Sequence, residues 1–424
     1  MLKRFIPENL YSFYFMVGGS LVFYIIGYSL SFIGSILVTR HLGPEGRGLV
    51  TSITAFISIG AVFAQVGMTH VNKLIAAEKK EAVGTLFLIN IVICFAASVI
   101  IIPLIYWFGR TPDLGGENTA LFISGLAFIP LFAISGACGD ILIGMHWNKQ
   151  YNSLFLAEKA VYAALIIVLV AAGFMTPATA LGLVYLSQIL RIALFCFFLR
   201  GHLSPAKWRE IKLLKLDKNF LLANYLSSIC FTFSGSILPI LLNRFSNLEE
   251  VGYFAVAQII TNMLMILPTL YSSFAINRLV YERKKPGYIK TKFVLITSIM
   301  AFMTLLALVF YFAGNWLIPL LFGQPFLFAA PCLKHMLPGI IFLAGYQIVN
   351  ATLIAERRNK NLLFLSIIYA LSPALLPLLL FPLNAVRIAD VYSLTCFITF
   401  MAAVFLHKDF FWNKVYSGRK LFRK

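Results

Sequence analysis

Apolar segments of about 20 residues recur along the whole of this chain, and they limit sharply what it can fold into. A helix needs about 20 apolar residues to cross the hydrocarbon core of a bilayer. The 424 residues are 60% hydrophobic and only 12% charged, whereas soluble globular chains carry about 25% charged residues. A water-soluble core cannot enclose that much apolar surface. The pattern therefore predicts an all-α integral membrane protein.

Hydropathy and turn residues divide the chain into about twelve transmembrane helices. Pro130 and Pro268 interrupt two of them and are expected to kink them. The apolar but proline-rich segment 315–331 is expected to be an interfacial or re-entrant piece. The predicted spans are residues 14–38, 49–70, 83–107, 119–144, 152–173, 178–199, 219–242, 253–276, 293–313, 334–355, 362–382 and 388–407.

The longest polar stretch, residues 200–218, separates the first six predicted spans from the last six. It is rich in Lys and Arg, and its apolar residues recur every three positions. This spacing is typical of an amphipathic helix on an anionic membrane surface, although a plain solvated linker is an alternative. We expect an N-terminal six-helix bundle over 1–199, this basic cytoplasmic linker over 200–218, and a C-terminal six-helix bundle with a basic tail over 219–424.

Membrane topology explains the net charge of +19. Roughly three quarters of the 35 Lys and Arg residues lie on one predicted side, in the N-terminus, the loops after even-numbered spans and the tail. Cytoplasmic loops carry such an excess of Lys and Arg. The distribution predicts that both termini are cytoplasmic, and it argues against nucleic acid as a partner.

A polar turn between the first two spans recurs in the second half of the chain. The matched residues are Arg40 with Arg244, Glu45 with Glu249, and Gly48 with Gly252. The loop segment 72–75 also aligns with 277–280. Convergence of basic loops is the simpler explanation, but the shared Asn and Leu positions favour duplication. Because each half has an even number of spans, we expect two parallel six-helix halves around a central cavity, an arrangement that suggests alternating access.

The turn at residues 40–45 reads Arg-His-Leu-Gly-Pro-Glu, and Leu-Phe-Gly at 321–323 lies before the tenth predicted span. With two six-helix halves, these motifs resemble the polysaccharide exporters of the multidrug/oligosaccharidyl-lipid/polysaccharide superfamily, in particular the Wzx-type O-antigen flippases. The resemblance implies movement of an undecaprenyl-diphosphate-linked sugar unit across the bacterial inner membrane. The second turn departs from the pattern, because Ser-Asn-Leu at 246–248 replaces Leu-Gly-Pro.

Ionisable residues within the predicted spans are the candidates for a substrate or ion site, because a charge in the membrane is costly to retain. We expect Lys159 and Arg191 to contact the diphosphate of a lipid-linked substrate. Glu158 and Asp140 would hold these cations when the site is empty, or couple transport to an ion. All four are predicted to lie roughly 6–12 Å from the cytoplasmic ends of their spans. Snorkelling of the cations to the headgroups is the alternative.

Two further arginines lie at the matched outward ends of the first and seventh spans. Arg40 and Arg244 are candidates for lining the outward mouth of a central cavity, and the alternative is that they cap helix C-termini. The six histidines lie near span ends and none accompanies a nucleophile motif. The six cysteines have no metal-ligand spacing. We therefore expect no catalytic residues, no metal and no cofactor.

The leading functional prediction is a flippase for a lipid-linked oligosaccharide, with possible coupling to a proton or sodium gradient. An ion-coupled small-molecule or multidrug exporter of the same superfamily is the first alternative, and a membrane-bound polysaccharide polymerase is the second. A path for a diphosphate sugar should be cationic, whereas a path for cationic drugs should be anionic. The expected partners are the lipid-linked substrate, membrane lipids and other polysaccharide assembly proteins.

Overall fold

The computed structural model describes residues 8–201, 218–282, 287–356 and 358–406. Within these ranges all regular structure is helical and no strand occurs, which confirms the predicted all-α class. Most of the predicted linker 200–218 and the basic tail beyond residue 406 lie outside the described residues. The amphipathic helix expected in that linker therefore stays a prediction.

The chain divides into two compact units, Met1–Tyr225 and Leu226–Lys424, which we call unit 1 and unit 2. In unit 1 the helices are α1 (Glu8–Ala64), α2 (Met68–Glu78), α3 (Val83–Gly109), α4 (Pro112–Gly115), α5 (Thr119–Ala127), α6 (Ile129–Gly144), α7 (Asn148–Ala171) and α8 (Pro177–Phe198). Helix α9 (Lys218–Phe245) begins in unit 1 and continues into unit 2. Unit 2 further contains α10 (Leu248–Glu282), α11 (Tyr288–Phe322), α12 (Ala329–Glu356), α13 (Asn359–Leu375) and α14 (Ala385–Leu406).

Eleven stretches of the described residues are long and apolar enough to cross a membrane. The first of them, Val22–Ala64, is 43 residues long and would measure about 65 Å as a straight helix, about twice the hydrocarbon thickness. It is not straight, because Gly43 has the non-helical angles φ 68° and ψ 179°. Pro44 then starts a new helix, a position where proline is favoured. The stretch therefore contains two spans, in agreement with the predicted total of about twelve.

The recurring turn is a helix break in both units. The alignment that places Arg40 on Arg244 places Gly43 on Asn247. In unit 2, α9 ends at Phe245, and the side-chain Oδ1 of Asn247 accepts a hydrogen bond of 2.9 Å from the backbone N–H of Glu250. This is the usual bond of a helix N-cap. The helix is thus interrupted at the same aligned position in both units, by the backbone conformation of Gly43 in unit 1 and by the N-cap residue Asn247 in unit 2.

Several helix ends differ from the predictions. The basic segment 72–80, expected as a loop, lies mostly in helix α2. The piece expected over 315–331 is partly wrong, because α11 continues through Pro319 to Phe322 before a turn at Gly323. Pro319 removes a backbone hydrogen bond from the helix, and membrane helices tolerate such a proline where neighbouring groups satisfy the freed carbonyl. Pro130 does lie at a break, between α5 and α6, whereas α10 runs through Pro268.

Polar side chains within unit 1 join helices to each other. The amides of Asn72 and Asn90 exchange hydrogen bonds of 3.0 and 2.8 Å between α2 and α3. Gln65 donates to the carbonyl of Ala133 at 3.1 Å, and Ser135 donates to Gln188 at 2.7 Å between α6 and α8. Such bonds hold membrane helices in register. They fix α6 and α8 beside each other, and these helices supply the surroundings of the candidate site.

Candidate substrate site

A single carboxylate lies between two cations inside unit 1. The Oε1 of Glu158 is 2.8 Å from the Nζ of Lys159, and its Oε2 is 3.5 Å from Nη1 of Arg191. The Glu158 side chain is only 2% exposed, whereas Lys159 is 27% and Arg191 19% exposed. We call these three residues the Glu158 cluster; its formal charge is one positive unit. The carboxylate is enclosed while the cations stay accessible.

Glu158 and Lys159 lie farther from the start of their helix than the sequence predicted. Helix α7 begins at Asn148, earlier than the predicted start at residue 152. With a rise of 1.5 Å per residue, Glu158 lies about 15 Å from the start of α7 and about 20 Å from its end. This position is close to the middle of the helix. Arg191, in contrast, lies seven residues and so about 10 Å before the end of α8 at Phe198, so snorkelling stays an alternative for its guanidinium.

The Arg191 guanidinium approaches α6 where that helix has no side chain. A Cβ atom added at Gly139 would lie 2.5 Å from Nη2 of Arg191, so any larger residue would have to displace the guanidinium. The Nε of Arg191 is buried and has no hydrogen-bond partner, and the same holds for Oε2 of Glu158. A buried polar atom without a partner is costly. Arg191 therefore has donor capacity that the described protein atoms do not use.

Asp140 forms its ion pair outside this cluster. Its Oδ1 is 3.1 Å from the Nζ of Lys73, a residue of α2 that sequence reasoning placed in a loop and did not select. Asp140 is the residue after Gly139 and so lies near Arg191, but its ion-pair partner is Lys73. The expectation that Asp140 holds Lys159 or Arg191, or couples an ion, thus stays a prediction.

Aromatic rings border the cluster on α1 and α7. The Nζ of Lys159 lies 5.8 Å from the ring centroid of Phe155. The rings of Tyr24 and Tyr28 lie 5.2 and 5.4 Å from the Phe155 ring. Cations beside aromatic and hydroxyl groups are typical of ligand sites that combine apolar contact with a few polar anchors.

The two outward arginines are not part of the Glu158 cluster. Arg40 is exposed and lies three residues before Gly43, and Arg244 is exposed in the last turn of α9. Each is therefore at a helix end, as the sequence predicted. Their proposed role at the mouth of a central cavity stays a prediction.

A second cluster of charges in unit 2 was missed by the sequence analysis. The Oε1 of Glu356 lies 2.7 Å from Nζ of Lys292, and its Oε2 lies 3.0 Å from Nε of Arg358. Lys292 is 7% and Glu356 is 10% exposed. We call these three residues the Glu356 cluster. The predicted span 334–355 ended one residue before Glu356, and the predicted span 293–313 began one residue after Lys292. Both residues were therefore assigned to loops.

The described residues contain no group of three or more His, Cys, Asp or Glu side chains that could hold a metal ion. The cysteines of these ranges are free thiols: Cys94, Cys138, Cys196, Cys230, Cys332 and Cys396.

A comparison with known protein families identifies the relatives of this chain. Residues 17–280, well over half of the chain, match the family model described as polysaccharide biosynthesis protein. The chain belongs to this family. No curated protein matches it by sequence.

Solved structures with low sequence identity share the fold of this polysaccharide biosynthesis protein. An inward-facing multidrug resistance MATE family transporter of the MOP superfamily has a TM-score of 0.69 at 15% identity, covering 92% of this chain and 98% of its own. The lipid II flippase MurJ, in an inward closed conformation, has a TM-score of 0.67 at 15% identity, covering 92% of this chain and 87% of its own. At these identities the likeness establishes the fold.

A third structure comes from the same superfamily. It is a MOP superfamily transporter from Pyrococcus furiosus, described by the reverse polarity of its binding pocket. Its TM-score is 0.65 at 13% identity, and the match covers 93% of this chain and 96% of that one. These neighbours are transporters or flippases, and this chain, with its eleven apolar stretches, is a multi-pass membrane protein that shares their fold.

Proposed function

We propose that this protein is a flippase that moves an undecaprenyl-diphosphate-linked oligosaccharide, such as an O-antigen unit, across the bacterial inner membrane. The polysaccharide biosynthesis family supports the sugar pathway, and the fold supports transport by alternating access. Both termini would be cytoplasmic, as the distribution of Lys and Arg predicts. The protein would act as a transporter and not as an enzyme.

The observation that carries this proposal is the accessible net positive charge of the Glu158 cluster. Arg191 has a buried Nε without an acceptor, and a guanidinium binds the oxygens of a phosphate through paired hydrogen bonds. Lys159 supplies a second, more flexible cation beside it. A diphosphate group would satisfy both cations at once.

The Glu158 carboxylate would then act as an internal substitute for the substrate. When the site is empty, it neutralises part of the charge on Lys159 and Arg191, which would otherwise be expensive within the membrane. An arriving diphosphate would compete with Glu158 for Arg191. The Glu158–Arg191 distance of 3.5 Å is longer than the 2.8 Å between Glu158 and Lys159. Protonation of the displaced carboxylate, or its binding of sodium, is the predicted point of coupling to an ion gradient.

An ion-coupled exporter of small molecules or drugs is the second candidate, because the MATE neighbour is a multidrug resistance transporter. The charge of the Glu158 cluster argues for an anionic substrate over a cationic drug. The Tyr24, Tyr28 and Phe155 rings suit the apolar faces of sugar rings as well as flat drugs, so they do not discriminate.

The deciding experiment is deletion of the gene, followed by analysis of surface polysaccharide and of lipid-linked intermediates. We expect loss of the surface polymer with the intermediate retained on the cytoplasmic face, and recovery with the wild-type gene. Complementation with Arg191→Ala or Lys159→Ala should fail at normal protein levels. Unchanged surface polymer in the deletion strain would refute the proposed substrate, and unchanged drug sensitivity would argue against the exporter.

A further inference from the structure

Arg47 differs from the other enclosed cations of this chain. The described Lys and Arg side chains that are buried or partly buried are Arg47, Lys73, Lys159, Arg191, Lys292, Lys334, Arg358 and Arg387. All the others have a carboxylate, a backbone carbonyl or an aromatic ring as partner. Within the described residues Arg47 has no ion pair, hydrogen bond or ring contact, and its Nε is buried without an acceptor.

The surroundings of Arg47 are polar and incompletely bonded. Its electrostatic partner is the phenol of Tyr162 on α7. Thr51, one helical turn beyond Arg47 and on the same face of α1, has a buried Oγ1 that also lacks a hydrogen-bond partner. The phenol and hydroxyl can each donate a hydrogen bond, as can the guanidinium. Three donors of this kind fit an anion rich in oxygen atoms.

The position of Arg47 relates it to the Glu158 cluster. Tyr162 is four residues after Glu158 on α7, so the two side chains lie on one face of that helix, one turn apart. With the predicted topology, α7 runs from the cytoplasmic to the outward side, and Tyr162 is the more outward of the two. Arg47 lies four residues after Gly43, about 6 Å along the helix from the outward turn.

An uncompensated guanidinium in a membrane domain is retained only if something else compensates its charge, because desolvation of an unpaired charge is strongly unfavourable. No carboxylate of the described residues does so. The nearby acid in the sequence, Glu45, is exposed and forms no ion pair with Arg47. Because Arg47 is only partly buried, an anionic ligand can reach its guanidinium, and phosphate groups are available anions at the predicted outward end of a membrane helix.

We propose that Arg47, Thr51 and Tyr162 form a second phosphate-binding site in unit 1, which receives the diphosphate of the lipid-linked substrate on the outward side. This inference rests on the proposed function and extends it. The substrate diphosphate would bind first to Lys159 and Arg191 and later to Arg47 and Tyr162, the latter one turn farther along α7. A phospholipid headgroup offers the same phosphate chemistry, so the test must separate the two sources.

The test measures equilibrium binding of radiolabelled farnesyl diphosphate, a soluble prenyl diphosphate, to the purified full-length protein. The variants are Arg47→Gln, Arg191→Gln, their combination, and Arg110→Gln as the matched control. Arg110 is an exposed arginine at the end of α3 that stacks on Tyr106, on the same predicted side as Arg47. We expect about two sites in the wild type and in Arg110→Gln, one in each single variant, and none in the double variant.

Each other outcome contradicts a different statement. If the wild type binds farnesyl diphosphate and Arg47→Gln retains both sites, the second site is refuted while the proposed function stands. If the wild type binds none, the diphosphate substrate itself is refuted. If excess phosphatidylglycerol abolishes only the binding that depends on Arg47, the site belongs to phospholipid headgroups and the assignment to the substrate is wrong.

Thermal unfolding without ligand supplies an independent readout. Because Arg47 has no protein counter-charge to lose, Arg47→Gln should unfold at the same temperature as the wild type or higher. A clearly lower unfolding temperature would show that Arg47 stabilises the fold, which would overturn the proposal. Arg47→Lys keeps the charge and should retain weaker binding at the second site.

Discussion

Each unit contains a carboxylate held between a lysine and an arginine, but the two clusters differ in depth and enclosure. Glu158 lies near the middle of α7, whereas Glu356 is the last residue of α12. In unit 2 the Lys292 and Glu356 side chains close on each other at 2.7 Å and are at most 10% exposed. In unit 1 the carboxylate is buried, but Arg191 is 3.5 Å away and 19% exposed.

The difference indicates two uses of the same three residue types. A closed pair at a helix end joins the end of α12 to the start of α11, and both of its side chains are almost wholly enclosed. In unit 1 the carboxylate is enclosed but the two cations stay accessible, as a site that receives an anion would require, and charges within membrane helices are candidates for a function. Position along the helix and access to the cations, rather than composition, separate the candidate site from a structural contact.

The largest predicted effect separates the arginines of the two clusters. Arg191→Gln should reduce transport of the lipid-linked substrate by roughly 100-fold, because losing one partner of a buried charge pair costs about 2–5 kcal/mol. Arg358→Gln, in which the 39% exposed arginine of unit 2 is neutralised, should change transport by no more than about twofold. Vesicle transport assays at matched protein levels would measure both effects. Equal effects would contradict the functional difference between the two clusters.

The carboxylates should show the opposite order when stability is measured. Glu356→Gln leaves Lys292 enclosed beside a neutral amide and should lower the free energy of unfolding by about 3 kcal/mol. Glu158→Gln should lower it by only about 1 kcal/mol, because water can reach Lys159 and Arg191. Thermal unfolding of the purified variants checks this, and a greater loss in Glu158→Gln would contradict the structural role assigned to the Glu356 cluster.

The glycine opposite Arg191 provides a steric test of the unit 1 site. Gly139→Ala places a Cβ 2.5 Å from Nη2 of Arg191, and a displaced binding group of this kind should reduce transport about tenfold. Gly182→Ala on α8 is the control, because a Cβ at Gly182 has no heavy atom within 4 Å. Normal transport by Gly139→Ala would show that the observed position of Arg191 is not needed.

The smallest predicted effect concerns the Lys73–Asp140 pair. Lys73 is 36% exposed, so Lys73→Gln should cost less than about 1 kcal/mol of stability and leave transport near the wild-type rate. Asp140→Asn should behave in the same way if the pair is structural. Loss of ion-driven transport in Asp140→Asn alone, measured with an imposed proton or sodium gradient, would instead assign Asp140 to ion coupling.

Much of the helical plan follows from the sequence, because an apolar stretch of about 20 residues has few alternatives in a bilayer. The break at Gly43 and Pro44 was also predictable from its polar turn. The ends of the helices were harder to predict, since backbone hydrogen bonding continues beyond the end of the apolar segment. Helix α2 is an example: its Asn and Lys residues indicate a loop, yet Asn72 is buried against Asn90.

The candidate site was partly predictable for the same reason. A glutamate, a lysine and an arginine within predicted spans stand out, and the structure brings Glu158, Lys159 and Arg191 together. The sequence does not reveal which carboxylate pairs with which cation, because this depends on helix rotation. Lys292 and Glu356 escaped notice because each lies one residue outside a predicted span, although both are enclosed in the fold.

The backbone of Gly43 has a consequence for the direction of every later helix. Its angles, φ 68° and ψ 179°, belong to a region that glycine alone occupies readily, although nothing crowds the position where a Cβ would be. The single break divides a helix too long for one crossing into the first and second crossings of the membrane. A chain that failed to bend there would cross the membrane one time fewer, and every following segment would be inserted with inverted sidedness. The break at this one residue thus separates two crossings that a straight helix would merge into one.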